Sequence, residues 1–221
     1  MELTYDIPSG AHMLIDETGI CIMVGADRAC TPVVYVDEVM FEGQPKYDVD
    51  FRFERMECYT SLHRVPSQFT TLKGIWTLDQ GCLMGSAADF GECYTGDLRW
   101  EDYAVEVGLN NACPGESGIN VRVQGAMRSY AVVLDGQRLM IRKNENGYRT
   151  LAECPCLTST GETHRFRIIC AGNEISVWKN GICLLRCIDS QDPYLNGCVG
   201  FSVFRGARTY FEHLKINCQE F

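Results

Sequence analysis

The sequence predicts an all-β protein built as two antiparallel sheets in a sandwich, preceded by a smaller N-terminal β segment. Three observations predict it. Apolar and polar residues alternate over runs of five to nine residues through most of the second half. The runs are separated by short turn signals, among them Asp135-Gly136, Asn146-Gly147, Gly172-Asn173 and Asn180-Gly181. No long amphipathic stretch lies between them, which argues against an α/β fold.

The clearest strand is Gly118-Ile119-Asn120-Val121-Arg122-Val123-Gln124. Side chains alternate across a strand, so Ile119, Val121 and Val123 share one face and Asn120, Arg122 and Gln124 the other. Ser129 to Leu134 follows, then Arg138–Lys143, Tyr148–Ala152, 164–170, Glu174–Lys179, Ile182–Ile188, 198–204 and 208–217. Asp189-Ser190-Gln191-Asp192 marks the one place where a short helical turn is expected, within 187–195.

Earlier in the chain, Leu3–Ile7, Ile20–Gly25, Val33–Phe41 and Tyr47–Phe53 read as strands. Residues 54–70 lose any clean period, so the boundary is placed there. Residues 1–68 form an N-terminal β segment that packs on the sandwich or ends a preceding domain, and 69–221 form the sandwich. About seventy residues are few for an independent core.

Composition narrows the function classes. The net charge is −9, with 29 acidic against 20 basic residues. A field of that sign disfavours nucleic-acid phosphates and anionic membranes as partners. No run of eighteen apolar residues suggests a membrane span. The opening Met1-Glu2-Leu3-Thr4-Tyr5-Asp6 lacks signal-peptide character, so a cytoplasmic location is expected. The thirteen cysteines are odd in number and irregularly spaced, and several occupy strand-core positions. Free, buried thiols in a reducing compartment are the expectation. Cys154-Pro155-Cys156 lacks the spacing and companions of a metal site, so no metal and no cofactor are expected.

Catalytic signals are weak. Glu101, Asp102 and Glu106 do not have the spacing of paired glycosidase carboxylates along one strand. They read as turn acids plus one strand charge paired with an arginine. His12, His63, His164 and His213 are scattered and have no nucleophile motif beside them. Gly115-Glu116-Ser117-Gly118 opens a strand and is not a nucleophile elbow. No catalytic residue is assigned, and the chain is expected not to be an enzyme.

Binding signals are better. Asn120, Arg122 and Gln124 form a polar row suited to a groove on the outer side of one sheet. Trp178 shares strand parity with Glu174 and Ser176 and offers an aromatic platform; Tyr130, Tyr148 and Arg142 join the candidate set. Planar hydrogen-bonding groups beside an aromatic ring suit a sugar. A solvated polar face with one salt bridge is the plainer alternative. Trp100 beside Tyr103 reads as a corner-packing tryptophan.

Several runs taken together carry a family resemblance. They are Thr95-Gly96-Asp97-Leu98-Arg99-Trp100-Glu101-Asp102-Tyr103, Gly118 to Gly125, Arg128 to Leu134, Asn196 to Phe201 and His213-Leu214-Lys215-Ile216. They resemble the concanavalin A-like lectin/glucanase jelly roll, in particular the module at the C-terminus of some bacterial ADP-ribosylglycohydrolase-family proteins. Val34-Tyr35-Val36-Asp37-Glu38-Val39 is similar to the segment preceding that module. The resemblance implies a jelly-roll fold and a glycohydrolase neighbourhood. The family's catalytic domain is all-helical and binds magnesium through clustered aspartates; nothing in this chain matches it, and none of its residues is carried over.

Three functions stay open. A non-catalytic module binds a carbohydrate, ribosyl or nucleotide-sugar ligand in a concave groove. A structural or interaction module packs on a catalytic partner domain. An unrecognised glycoside hydrolase would need two carboxylates facing one groove.

Overall fold

The structure, a computed structural model, describes residues 46–54, 56–58, 64–66 and 68–218. The strands expected at Leu3–Ile7, Ile20–Gly25 and Val33–Phe41 lie outside the described residues. The compact unit that holds every described strand runs from Gln44 to Phe221.

Among the described residues seventeen strands follow one another: β1 Lys46–Val49, β2 Met56–Cys58, β3 Arg64–Pro66, β4 Thr70–Lys73, β5 Ile75–Asp79, β6 Cys82–Ser86, β7 Phe90–Thr95, β8 Tyr103–Cys113 and β9 Glu116–Gly125. The second half continues with β10 Arg128–Leu134, β11 Arg138–Glu145, β12 Tyr148–Pro155, β13 Thr163–Ala171, β14 Glu174–Lys179, β15 Ile182–Ile188, β16 Cys198–Phe204 and β17 Arg208–Cys218. Sheet I has the order β15-β14-β13-β8-β17-β6-β5, with β1 also paired to β17. Sheet II has the order β12-β11-β10-β9-β16-β7-β4, and β2 and β3 form a separate hairpin. The described pairings are antiparallel throughout, as a jelly-roll sandwich requires. No helix among the described residues is long and apolar enough to cross a membrane.

The expected strands of the second half appear within a residue or two of their predicted ends, except that β12 runs three residues past Ala152, to Pro155. Asn180 and Gly181 both take positive φ, 53° and 77°, the geometry of a two-residue hairpin turn whose twist matches its strands. The expected strand at Tyr47–Phe53 is shorter: β1 ends at Val49, and 51–53 turn. β1 pairs with the far end of β17, Tyr47 opposite Ile216, although it lies before the boundary drawn at residue 68. The helical turn expected within 187–195 is not formed. The chain leaves β15 at Ile188 and crosses to β16 as an irregular loop, with Asp192 at φ 52°.

Alternation sorts the side chains into two layers. Leu83, Val105, Val107, Leu109, Ile119, Val132, Leu134, Leu139, Ile141, Ile168, Val177, Phe201 and Phe211 fill the space between the sheets. A second, smaller apolar cluster lies on the other face of sheet II: Ala131, Val133, Met140 and Phe204, with Phe90 and Tyr148 against it. Trp100 packs on the main core, edge-on to Tyr47 and Tyr103 at 5.6 and 6.3 Å, the corner role its sequence position suggested.

Candidate functional site

The second apolar cluster is the floor of a groove on the outer face of sheet II. Its cavity is about 430 Å3, lined by residues of β7, β9, β11, β12 and β16, among them Glu92, Glu116, Arg142, Asn144, Tyr148 and Phe204. Each reaches this face by strand parity. On β7, Cys93 points into the inter-sheet core, which turns Glu92 and Tyr94 outward. On β11, Leu139 and Ile141 face the core, which turns Met140, Arg142 and Asn144 outward. The Tyr148 ring meets Phe204 edge-on at 5.3 Å and 88°.

A polar network crosses this floor. The Ser202 hydroxyl donates to Asn120 Oδ1 at 2.7 Å, which turns the amide nitrogen toward the Tyr148 hydroxyl, 3.5 Å away. The Tyr148 and Tyr94 hydroxyls both donate to the Glu92 carboxylate, one to each oxygen. Burial, reinforced by the Glu92 carboxylate, pushes the pKa of both phenols up. Gly200, opposite Tyr94 on the neighbouring strand, keeps the space open: a Cβ there would lie 2.6 Å from the Tyr94 ring and 2.3 Å from the Cys93 carbonyl oxygen.

Glu116 is differently engaged. Arg142 grips it with two contacts of 2.7 and 3.2 Å, and Arg205 approaches at 3.5 Å. Glu92 and Glu116 sit two strands apart and two residues out of step, through Ser202 and Phe204 of β16. Strand spacing and rise place their Cα atoms ~12 Å apart.

The six residues nominated from sequence divide. Arg142 lines this groove, as does Tyr148, whereas Asn120 lies wholly buried beneath it, its amide nitrogen toward the Tyr148 hydroxyl. Arg122 does not line it, and the reason is a β-bulge. Between Gly200↔Asn120 and Cys198↔Val123, β9 carries one residue more than β16, and Arg122 takes φ 50°. A bulge reverses the alternation beyond it, so Arg122 folds inward and is 1% exposed. Its guanidinium donates to the carbonyls of Gly172 (2.5 Å) and Tyr194 (2.8 Å) and to Asp102 Oδ1 (2.9 Å). Its backbone N–H donates to the Tyr103 hydroxyl at 2.6 Å. The placement of Arg122 in the polar row of the groove is therefore corrected. Glu106, the strand charge expected to pair with an arginine, does so with Arg167, at 3.6 Å.

Tyr130 is corrected too. It shares the core face with Val132 and Leu134 and donates to Asp189 Oδ2 at 2.7 Å. Gln124, past the bulge, donates to Asn196 at 3.1 Å rather than lying beside Asn120. Trp178 does point outward, but from sheet I. It lines a separate cavity of about 620 Å3 with Glu106, Arg165, Arg167 and Lys215.

The sequence reading passed over Glu92 and Tyr94 because 82–95 was not resolved into strands. Cys93 as a small core hydrophobe would have fixed the parity. Nine cysteines among the described residues carry free thiols, and Cys93, Cys156, Cys170 and Cys198 are buried. Burial pushes the Cys198 thiol up to about 11.

No protein-family profile and no curated protein matches the sequence. Solved structures do match the fold. Carbohydrate-binding module CBM66 from Bacillus subtilis superposes with a TM-score of 0.61 at 17% identity, over 68% of this chain and 95% of the other. A prokaryotic β-1,3-1,4-glucanase (lichenase) derived from a mouse hindgut metagenome gives 0.56 at 13%, over 79% and 99%. A Bacillus subtilis protein of unknown function with a galectin-like fold gives 0.57 at 12%, over 67% and 88%. At these identities the likeness is one of fold, a two-sheet antiparallel jelly-roll sandwich.

Proposed function

We propose that this chain is a non-catalytic carbohydrate-binding module whose ligand, a ribosyl unit or another sugar, lies in the groove of sheet II. One observation carries the reading: the outer face of sheet II sets an apolar floor of Phe204, Phe90 and Tyr148 beside planar hydrogen-bonding groups. That combination matches a sugar's C–H face and its hydroxyls. The fold shared with a carbohydrate-binding module and a glucanase supports the same class by analogy. The non-catalytic reading draws support from Glu116, whose carboxylate is occupied by Arg142 and Arg205 and is set far from Glu92. The resemblance to a module of ADP-ribosylglycohydrolase-family proteins supports an accessory role beside a catalytic domain.

The test is calorimetric titration of the purified chain with ribose and with neutral glucan, fructan, xylan and galactan oligosaccharides. Binding by at least one is expected, weakened tenfold or more by Phe90→Ala and unchanged by Trp178→Ala on the opposite sheet. Absence of binding across the panel, or loss through Trp178→Ala alone, overturns the assignment to this groove. Release of reducing sugar from any of them would overturn the non-catalytic reading.

A further inference from the structure

Sheet I has an outer face of its own, and strand parity fills it with charge. Val105 and Val107 face the core on β8, Phe166 and Ile168 on β13, Val177 on β14, and Leu214 and Ile216 on β17. Their neighbours Glu106, Arg165, Arg167, Trp178 and Lys215 therefore turn outward and line the recess of about 620 Å3. Pairing sets four of them in one lateral row: Trp178 beside Arg167, Arg167 beside Glu106, and Glu106 beside Lys215. At a strand spacing of about 4.8 Å the row spans ~14 Å.

The Trp178 indole N–H donates to Ser176 Oγ at 3.1 Å. Ser176 lies two residues back on the same face and is buried, so the bond lays the half-buried ring along β14 at the wall of the recess. A ring held in this way is a platform for the C–H face of a sugar. The charged groups beside it are unequal in kind. Arg165, Arg167 and Lys215 only donate hydrogen bonds, and Glu106 is the one carboxylate among the described lining residues. Arg167 approaches Glu106 at 3.6 Å and Lys215 approaches Asp48 at 3.8 Å, both beyond hydrogen-bond reach. Arg165 donates to Glu212 Oε2 at 3.2 Å through one nitrogen. All three pairs are open to solvent, where such pairs hold weakly. Glu106, Glu212 and Asp48 balance the three cations, so net charge does not choose the ligand. The surplus of donors does. A hydroxyl brings a donor with every acceptor, whereas a carboxylate only accepts, at about four positions, and matches the planar guanidinium fork.

We propose that the outer face of sheet I holds a second sugar site, independent of the sheet II groove, and that it takes acidic sugars of the uronate class. The sugar ring lies on Trp178, and its carboxylate accepts from Arg167, the next residue in the row. A further carboxylate along the same chain reaches Lys215 or Arg165. The chain then carries sugar sites of different kinds on opposite faces of one sandwich.

Calorimetry tests this with trigalacturonate, triguluronate and a hyaluronan tetrasaccharide, each against its carboxyl-reduced, neutral form. Titrations are run on the wild type and on Phe90→Ala, so that a neutral sugar held by sheet II is recognised as such. At least one acidic oligosaccharide is expected to bind both proteins alike. In Phe90→Ala it should bind at least tenfold more tightly than its reduced form. Trp178→Ala and Arg167→Gln, both checked for folding by thermal melting, should each weaken that binding tenfold or more. No binding by any acidic member, equal binding of the reduced forms to Phe90→Ala, or binding that survives both Trp178→Ala and Arg167→Gln overturns the proposal. So does binding of ADP-ribose that is lost with Trp178→Ala where no uronate binds, which would make the recess a nucleotide site. None of these outcomes touches the sheet II reading, whose neutral sugars are lost with Phe90→Ala and kept with Trp178→Ala.

Discussion

Lys143 Nζ lies 2.9 Å from Asp189 Oδ2, with the lysine side chain wholly out of solvent and Asp189 6% exposed. Lysine reaches the interior here because it shares the core face of β11 with Leu139 and Ile141. Its remaining protons go to the carbonyls of Gln191 (2.9 Å) and Asp192 (2.6 Å), and its charge rests 4.6 Å from the Tyr194 ring. Tyr130 adds a second donor to Asp189, and Tyr194 N–H donates back to the Tyr130 hydroxyl. A buried pair of this kind fastens the loop 189–197 to sheet II, and a partner left alone would be an unpaired buried charge.

Lys143→Met and Asp189→Asn should each therefore cost about 3–5 kcal/mol of unfolding free energy. The double variant should cost clearly less than the sum of the two, because it strands no charge. Urea unfolding of the four proteins measures the cycle. Additive losses would mean that the two side chains do not act as a pair.

Acid should loosen the same loop. Burial works against the Asp189 carboxylate, but the hydrogen bonds from Tyr130, Lys143 and the Gln191 N–H outweigh it and hold its pKa below the usual value. In the unfolded chain an aspartate titrates near 3.9, so between the two pKa values the unfolded state binds more protons. The stabilisation is complete above about pH 4 and is lost as the pH falls through the folded-state pKa. Stability measured from pH 6 to pH 2.5 should drop more steeply in the wild type than in Asp189→Asn. Parallel profiles would refute the linkage, since other lowered carboxylates such as Asp97 and Asp50 are common to both proteins.

Arg122 plays the part of a clamp. It ties the β13–β14 turn at Gly172 and the loop at Tyr194 to Asp102, which itself accepts the Gly172 N–H at 2.9 Å. Arg122→Met should lower stability by about 2–4 kcal/mol, the scale of several lost charge-assisted hydrogen bonds. Sugar affinity of the folded fraction should stay within twofold, because Arg122 does not line the groove. A tenfold loss of affinity with little change in stability would return it to the binding site.

Much of the sandwich was legible because strand alternation and turn chemistry are local. Val132 and Leu134 against Ala131 and Val133, or Ile168 against Arg167, sort themselves in sequence by period alone. The bulge at Arg122 was not legible, since Arg in a left-handed conformation carries no composition signal of the kind that glycine gives. That one extra residue misplaced both Arg122 and Gln124. Trp178 was read correctly as outward-facing, but strand parity says which face, not which sheet; pairing order alone puts β14 in sheet I and Asn120 in sheet II. Tyr130 failed because an aromatic with a hydroxyl suits either layer, and its partner Asp189 is 59 residues away in sequence.

The Tyr148 hydroxyl joins the two halves of the groove floor, and its loss should be readable in two ways. Tyr148→Phe leaves the ring edge-on to Phe204 and removes only the oxygen that donates to Glu92 and faces Asn120. A buried acceptor stripped of one donor costs about 1–3 kcal/mol, so the variant should fold with a lowered urea midpoint. The phenol itself supplies the second readout. Burial, then the neighbouring Glu92 charge, pushes its pKa up, so Tyr148 should stay protonated while exposed tyrosines ionise near pH 10. Absorbance titration at 295 nm between pH 9 and 11 should therefore give the same phenolate yield for wild type and Tyr148→Phe. A yield lower by one tyrosine in the variant would mean that Tyr148 ionises normally and is not held beneath the groove beside Glu92.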